Sequence, residues 1–197
     1  MEQQPMTMRS FVIPFSGHRP SLDSIRSGAL GPEIVTLCRV VNVGLFLSGG
    51  LRRDTEVSLV ISEANEHAVV ITLGGNRLRR VSPDERSISF FISKAMKRSE
   101  DIGVGETVIT DNGIVIARIL EGALYRNWQD RPIYIASRSV SASEWPDCRP
   151  NGVFVYRGES PSTTEFHTAR PVPGRRTPER FVLDINRWFD QRTKRGE

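Results

Sequence analysis

Cysteine is scarce: Cys38 and Cys148 are the two thiols in 197 residues, and they do not form a C-x-x-C pair. This excludes a disulfide framework and a thiolate zinc site. Histidine is scarcer relative to what catalysis would need. His18, His67 and His167 all fall in loop-like stretches, and no Ser/His/Asp set assembles around them. The chain has no P-loop, no G-x-G-x-x-G, no H-E-x-x-H and no internal repeat, so the common phosphate, dinucleotide and zinc-protease chemistries lack their motifs. No apolar run is long enough to span a bilayer. Met1–Met8 has no basic-then-apolar signal pattern. The expected setting is therefore the reducing cytoplasm.

The composition that is present suits a globular protein. Hydrophobic residues make up 38 %, enough for an ordinary core, and the length suits one domain. Residues 1–7 read as a flexible extension, with the domain running from 8 to 197 and Met8 an alternative start. The net charge is +4, with arginines in short runs. Such a balance favours an anionic partner, nucleic acid among them, against the plainer reading of a solvated surface.

Apolar patterning predicts an α/β chain. Phe11–Phe15 reads as a strand buried on both faces, followed by a loop with a helical turn near 21–27. Pro32 opens a helix that is apolar nearly all round, runs to Ser48 and ends on a left-handed cap at Gly49-Gly50. Glu56–Ile61 and Ala68–Leu73 read as an antiparallel hairpin. Ser82-x-x-Glu85 reads as a capping box with Pro83 at the first helical position. Further on come a strand at 113–117, a helix at 118–128, and strands at 132–136 and 152–156. A proline-punctuated turn at 171–176 follows. The last helix opens at Thr177-Pro178, with Phe181, Val182, Ile185, Trp188 and Phe189 as its apolar stripe and a fraying tail from Gln191.

Two charged turns flank this central stretch. Leu51-Arg52-Arg53-Asp54 follows the first helix. As a bland feature it is solvated charge with cations at a helix C-terminus; as a functional one it is a phosphate-binding pair beside a carboxylate. In Ser82-Pro-Asp84-Glu-Arg86 the helix cap explains most residues but leaves Arg86 without a role. Asn42, inside the apolar helix, either bonds a neighbouring backbone or lines a pocket, because a buried amide must be paired.

These residues carry a resemblance. Leu37 through Val60, with Asn42 and Arg52-Arg53-Asp54, and Leu78 through Arg86 are similar to the signatures of the archaeal-type tRNA pseudouridine N1-methyltransferases. That family belongs to the SPOUT class. The resemblance implies an α/β fold with a mostly parallel sheet flanked by helices and a C-terminal trefoil knot. It also implies S-adenosylmethionine as donor, tRNA as partner and a homodimer.

On the resemblance, Asp54 or Asp84 would accept the N1 proton, and Asn42, Arg52, Arg53 and Arg86 would hold the RNA. Tyr156, Gly158, Val172, Gly174, Arg175, Phe181 and Leu183 would form the donor site. The closing segment departs from the family pattern. Phe181 stands where relatives have cysteine, Asn186-Arg187 where they have His-Asn, and Gly158-Glu159 where they have Asp-His. Two alternatives therefore accompany the enzyme reading: an RNA-binding relative with an eroded donor site, and a methyltransferase with another substrate.

Overall fold

The computed structural model describes residues 8–15, 18–63, 66–124, 128, 130–141, 145–156 and 169–195, with backbone only from 194. The expected extension 1–7 and the position of Gly158 lie outside these residues. An eight-stranded sheet has the order β10-β8-β9-β1-β4-β5-β7-β6. Its parallel half is β10 (Arg170–Pro173), β8 (Ile133–Ser137), β9 (Val153–Val155), β1 (Arg9–Phe15) and β4 (Thr55–Ser62). Beyond β4 the sheet turns antiparallel through β5 (His67–Gly74), β7 (Val115–Leu120) and β6 (Thr107–Ile109).

β1 lies between β4 and β9, so both its edges are paired and both its faces covered. Phe11, Val12 and Ile13 are buried accordingly, as an unalternating apolar run requires. One face packs under α2 (Pro32–Leu45), α3 (Glu85–Ser99) and α4 (Pro178–Arg195), and α1 (Leu22–Ser27) leans on α3. The other face carries a smaller cluster in which Val12, Val60, Val70 and Val155 meet Leu124 and Trp128. The helices of the described residues therefore gather on one face of the sheet.

Several boundaries move from the sequence reading. α2 ends at Leu45, and Phe46–Leu47 (β2) pairs with Gly50–Leu51 (β3) in a small hairpin. Gly49, at φ +85°, is a turn residue of that hairpin rather than a helix cap. The Arg52 N–H donates to the Leu45 carbonyl at 2.8 Å, folding the hairpin back onto the helix end. The helix expected at 118–128 is instead strand to Leu120 and one 3-10 turn, Glu121–Ala123. Arg118, Ile119 and Leu120 pair with Val69, Ala68 and His67, and unpaired edge groups on β5 outweigh local helix propensity. The segment expected as a turn at 171–176 begins as β10, parallel to β8.

α3 begins two residues later than the capping box suggested. Asp84 is the N-cap, and its carboxylate accepts from the Ser87 N–H at 2.8 Å. α4 carries its stripe inward: Phe181, Val182, Ile185 and Phe189 are buried, and α4 packs along α2. The apolar sides of α2 and α4 are thus used as core within the chain.

Candidate functional site

The corner after β3 is built from both ends of the chain. Arg9 opens β1 and its side chain is only 5 % exposed. Its guanidinium donates to Asn186 Oδ1 at 2.6 Å and to Asp54 Oδ2 at 3.4 Å, and lies 4.1 Å from the centre of the Phe189 ring. Burial pulls this guanidinium down to about 10, against the pull of Asp54, so it is cationic at neutral pH. Asn186, fully buried on α4, also donates to the carbonyls of Val43 and Gly44 at 3.1 and 3.3 Å. Those are carbonyls of the last turn of α2, which have no partner inside the helix. One amide thus ties β1, α2 and α4 together beneath Asp54.

Arg52 does not stand free. Both its terminal nitrogens reach Asp190 on α4, at 2.6 Å each, in a forked pair. Its charge is matched inside the chain, and the pair fastens α4 to the corner. Arg53 keeps more freedom. One terminal nitrogen donates to the Gly75 carbonyl at 2.9 Å, and the residue is otherwise exposed. Gly75 is needed there because a Cβ would lie 1.8 Å from the Arg52 carbonyl oxygen. Asp54, half-exposed, is held by Arg9 and by the Thr55 hydroxyl at 3.3 Å. It presents a carboxylate that is positioned yet reachable.

The second corner is differently arranged. The Asn42 side-chain amide donates to the Pro83 carbonyl, and the residue lines a cleft as well. Asp84 is occupied as helix cap. The groove between α1 and α3 is lined by Asp84 and Arg86, whereas Asn42 shares a different cleft with Cys38, Pro83 and Glu85. No hydrogen bond or ion pair among the described residues links Asp84 or Arg86 to Arg52, Arg53 or Asp54.

Tyr156, Gly174 and Arg175 of the candidate donor set lie at the carboxyl ends of β9 and β10, where open parallel sheets place their ligands. Tyr156 follows β9, and its hydroxyl donates to the Arg176 carbonyl at 2.9 Å. Burial pushes that phenol above its ordinary value, opposed by Arg138 and aided by Glu179. Gly174 donates its N–H to the Ser137 carbonyl at 2.7 Å, and a Cβ on it would sit 2.8 Å from that backbone. Arg175 pairs with Asp184 at 2.6 Å. Leu183 is half-buried one turn into α4. Val172 and Phe181 are fully buried, so both belong to the core. One buried carboxylate oxygen of Glu179, in the first turn of α4, has no hydrogen-bond partner.

Sequence reasoning missed Arg9, Asp190, Asp184 and Glu179. Arg9 leaves a faint trace, a charge opening a strand that is apolar on both faces. Asn186 leaves a clearer one, since it lies four residues after Val182 and three before Phe189, on the stripe itself. The ion-pair partners leave none, because Arg52 and Asp190 are 138 residues apart.

Residues 8–167 match the profile of a family described as "Putative SAM-dependent RNA methyltransferase". A tRNA (pseudouridine(54)-N(1))-methyltransferase of Methanococcoides burtonii is 32 % identical over 168 residues, 80 % of this chain and 79 % of the relative. Its counterpart in Haloferax volcanii is 40 % identical over 103 residues, covering 49 % of this chain and 48 % of the relative. In Methanococcus aeolicus the identity is 49 % over 63 residues, 32 % of this chain and 31 % of the relative. The matches thus span from about a third to four-fifths of the relatives' lengths.

Proposed function

The chain belongs to the SAM-dependent RNA methyltransferase family, and we propose that it methylates N1 of a pseudouridine in tRNA, at the T-loop position named for its relatives. The observation that carries the reading is the union of a family match over 8–167 with a strand-end cradle completed by β10 and α4, which lie beyond that match.

S-adenosylmethionine, when bound, supplies an electrophilic methyl group on a sulfonium. The residues fit such a donor. Gly174 lets backbone approach closely, Glu179 has a buried oxygen without a partner for a ribose hydroxyl or an ammonium, and Tyr156 braces the loop at Arg175-Arg176. Leu183, half-buried on α4, lies on the same helix as Glu179, and Val172 and Phe181 pack in the core beneath it. No helix among the described residues is long and apolar enough to cross a membrane.

An imide-like N1–H is a weak nucleophile until its proton is accepted. We assign that proton to Asp54, which is held at both oxygens yet half-exposed, in preference to Asp84, which caps α3. Arg53 offers its remaining N–H groups to RNA phosphate, and because its corner lies at the amino ends of β1 and β4 while the donor residues lie at the carboxyl ends of β8, β9 and β10, the proposal brings the two together across the homodimer rather than within one chain. The base itself must leave its stack to reach such a site.

The homodimer and the C-terminal knot of the SPOUT class are part of the same proposal. The return of the chain from edge strand β10 to α4 against α2 supports the knot. A dimer would use surface other than the stripe of α4, which the core already occupies; a monomeric mass by light scattering would remove it.

The test is incubation of the protein with labelled S-adenosylmethionine and pseudouridine-containing tRNA, followed by nucleoside mass spectrometry. Labelled N1-methylpseudouridine is the expected product. Absence of the product with no binding heat at millimolar donor would establish the eroded RNA-binding reading, which the departures at Phe181 and Asn186 favour.

A further inference from the structure

A groove of about 380 Å³ runs between α1 and the first half of α3, lined by Leu22, Ile25, Arg26, Asp84, Arg86 and Phe90. That is a small-ligand size, in a range of roughly 300–1,000 Å³. Two features separate it from ordinary surface. Leu22 and Phe90 are 52 % and 37 % exposed, although α1 and α3 have a packed seam beneath them in Ile25 and Ser93. Arg26 and Arg86 are also unmatched: among the described residues neither side chain takes part in a hydrogen bond or ion pair. Arg79, Arg80, Arg138 and Arg187 are likewise without a side-chain partner among the described residues, so what marks the groove is that two such guanidiniums share it with the exposed Phe90 ring. Lys94, one turn further along α3, places its ammonium 5.6 Å from the Phe90 ring centre.

We propose that this groove binds one unpaired nucleotide of the RNA, its base stacked on Phe90 and its phosphate between Arg26 and Arg86. The proposal rests on the RNA reading above and adds a subsite to it. A stacking aromatic bordered by cations is the arrangement that single-stranded nucleic acid requires, because every base has a π-face and every nucleotide a charge. Apolar peptide alone would leave the two guanidiniums unmatched. Asp84 keeps one oxygen on the Ser87 N–H and can accept a base-edge N–H with the other. The groove lies across α3 from Asn42 and is not bonded to the Asp54 corner, so its occupant is a neighbour of the modified base. It would hold the register of the loop while the target nucleotide is turned out.

The experiment measures fluorescence anisotropy of a labelled tRNA T-arm stem–loop with the full chain, across a salt series. Phe90→Ala should weaken binding by roughly 10-fold, the effect of losing one stacked base, and Phe90→Trp should keep it. Arg26→Ala should lower the slope of log affinity against log salt by about one. Binding of S-adenosylmethionine, read by calorimetry, should be unchanged in all three. A cross-link from 5-iodouridine in the loop to Phe90 of the unaltered protein gives a reading independent of any variant's folding. If the unaltered protein ignores RNA while binding the donor, the RNA reading falls and this subsite with it. If the unaltered protein binds RNA and Phe90→Ala binds equally well, the groove alone is dismissed. Loss of self-association in Phe90→Ala with undiminished RNA affinity assigns the groove to a second copy of the chain, and also overturns the proposal.

Discussion

Replacing Asn186 by leucine, a side chain of similar size, should cost far more than its volume change. Asn186 makes three bonds in a fully buried place: one from Arg9 and two to the final carbonyls of α2. Leucine satisfies none of them. Arg9 would keep only the 3.4 Å contact to Asp54 within hydrogen-bonding reach of a carboxylate, while its Nε already has no partner. A lost bond to a buried charge costs about 1.5–3 kcal/mol, and two orphaned carbonyls add about 1 kcal/mol each when water cannot fully replace the donor.

The sum is roughly 3–5 kcal/mol, a large share of the ~5–15 kcal/mol that stabilises an ordinary domain. For a chain of this length it should lower Tm by roughly 10 °C. Urea unfolding followed by circular dichroism measures it, and the denaturant slope should not change. The second arm of the test is Arg9→Met in the Asn186→Leu background. Removing both partners removes the stranded charge, so the double variant should recover at least ~1 kcal/mol relative to additivity. A loss below ~1 kcal/mol for Asn186→Leu, or strict additivity in the cycle, would refute the account of Asn186 as the tie between β1, α2 and α4.

Asp54→Asn should reduce the methyl-transfer rate by at least ~100-fold with donor affinity unchanged, since only proton acceptance is removed; single-turnover rates and calorimetry separate the two. Gly174→Ala should weaken S-adenosylmethionine binding by more than ~10-fold, because the new methyl group meets the Ser137 backbone at 2.8 Å and moves the loop. Equal affinity by calorimetry would remove Gly174 from the donor site. Burial pushes the Cys38 and Cys148 thiols up to about 12 from 9.0, so both stay protonated at neutral pH and should resist alkylation until the protein unfolds. Their folded values exceed the unfolded ones. The stability they contribute is therefore full below pH 9 and lost as pH rises towards 12, at up to roughly 1.4 kcal/mol per unit for each. Thermal scans across that window should show the fall, and Cys38→Ser should make it shallower.

Local chemistry made much of this protein readable from its residues. Phe11–Phe15 could only be a strand covered on both faces, and Pro32 could only begin a helix whose flanks are apolar nearly all round. The strands at 56–61 and 68–73 are short apolar runs on either side of a short turn, and they pair antiparallel as read. The Arg52-Arg53-Asp54 and Asp84–Arg86 turns announced themselves as dense charge between apolar runs. What failed locally failed for a tertiary reason. Arg118–Leu120 has the pattern of a helix, but β5 has an edge that must be paired, and the strand prevails. The proline-rich stretch at 171–173 looks like a turn, yet it closes the parallel half of the sheet beside β8.

The fate of the charges was decided by the fold alone. Arg52 and Arg53 are adjacent and chemically alike. One is spent on Asp190 and the other left to the solvent because α4 passes on one side of the turn and not the other. Asp54 and Asp84 are both carboxylates at the edge of a helix or strand, and only packing makes Asp84 a helix cap and leaves Asp54 a held but half-exposed carboxylate. Periodicity and capping depend on interactions within a few residues, so the residues themselves determine them. The pairing of Arg9 with Asn186, 177 positions away, depends on which segments the sheet order brings into contact, and that order belongs to the whole chain.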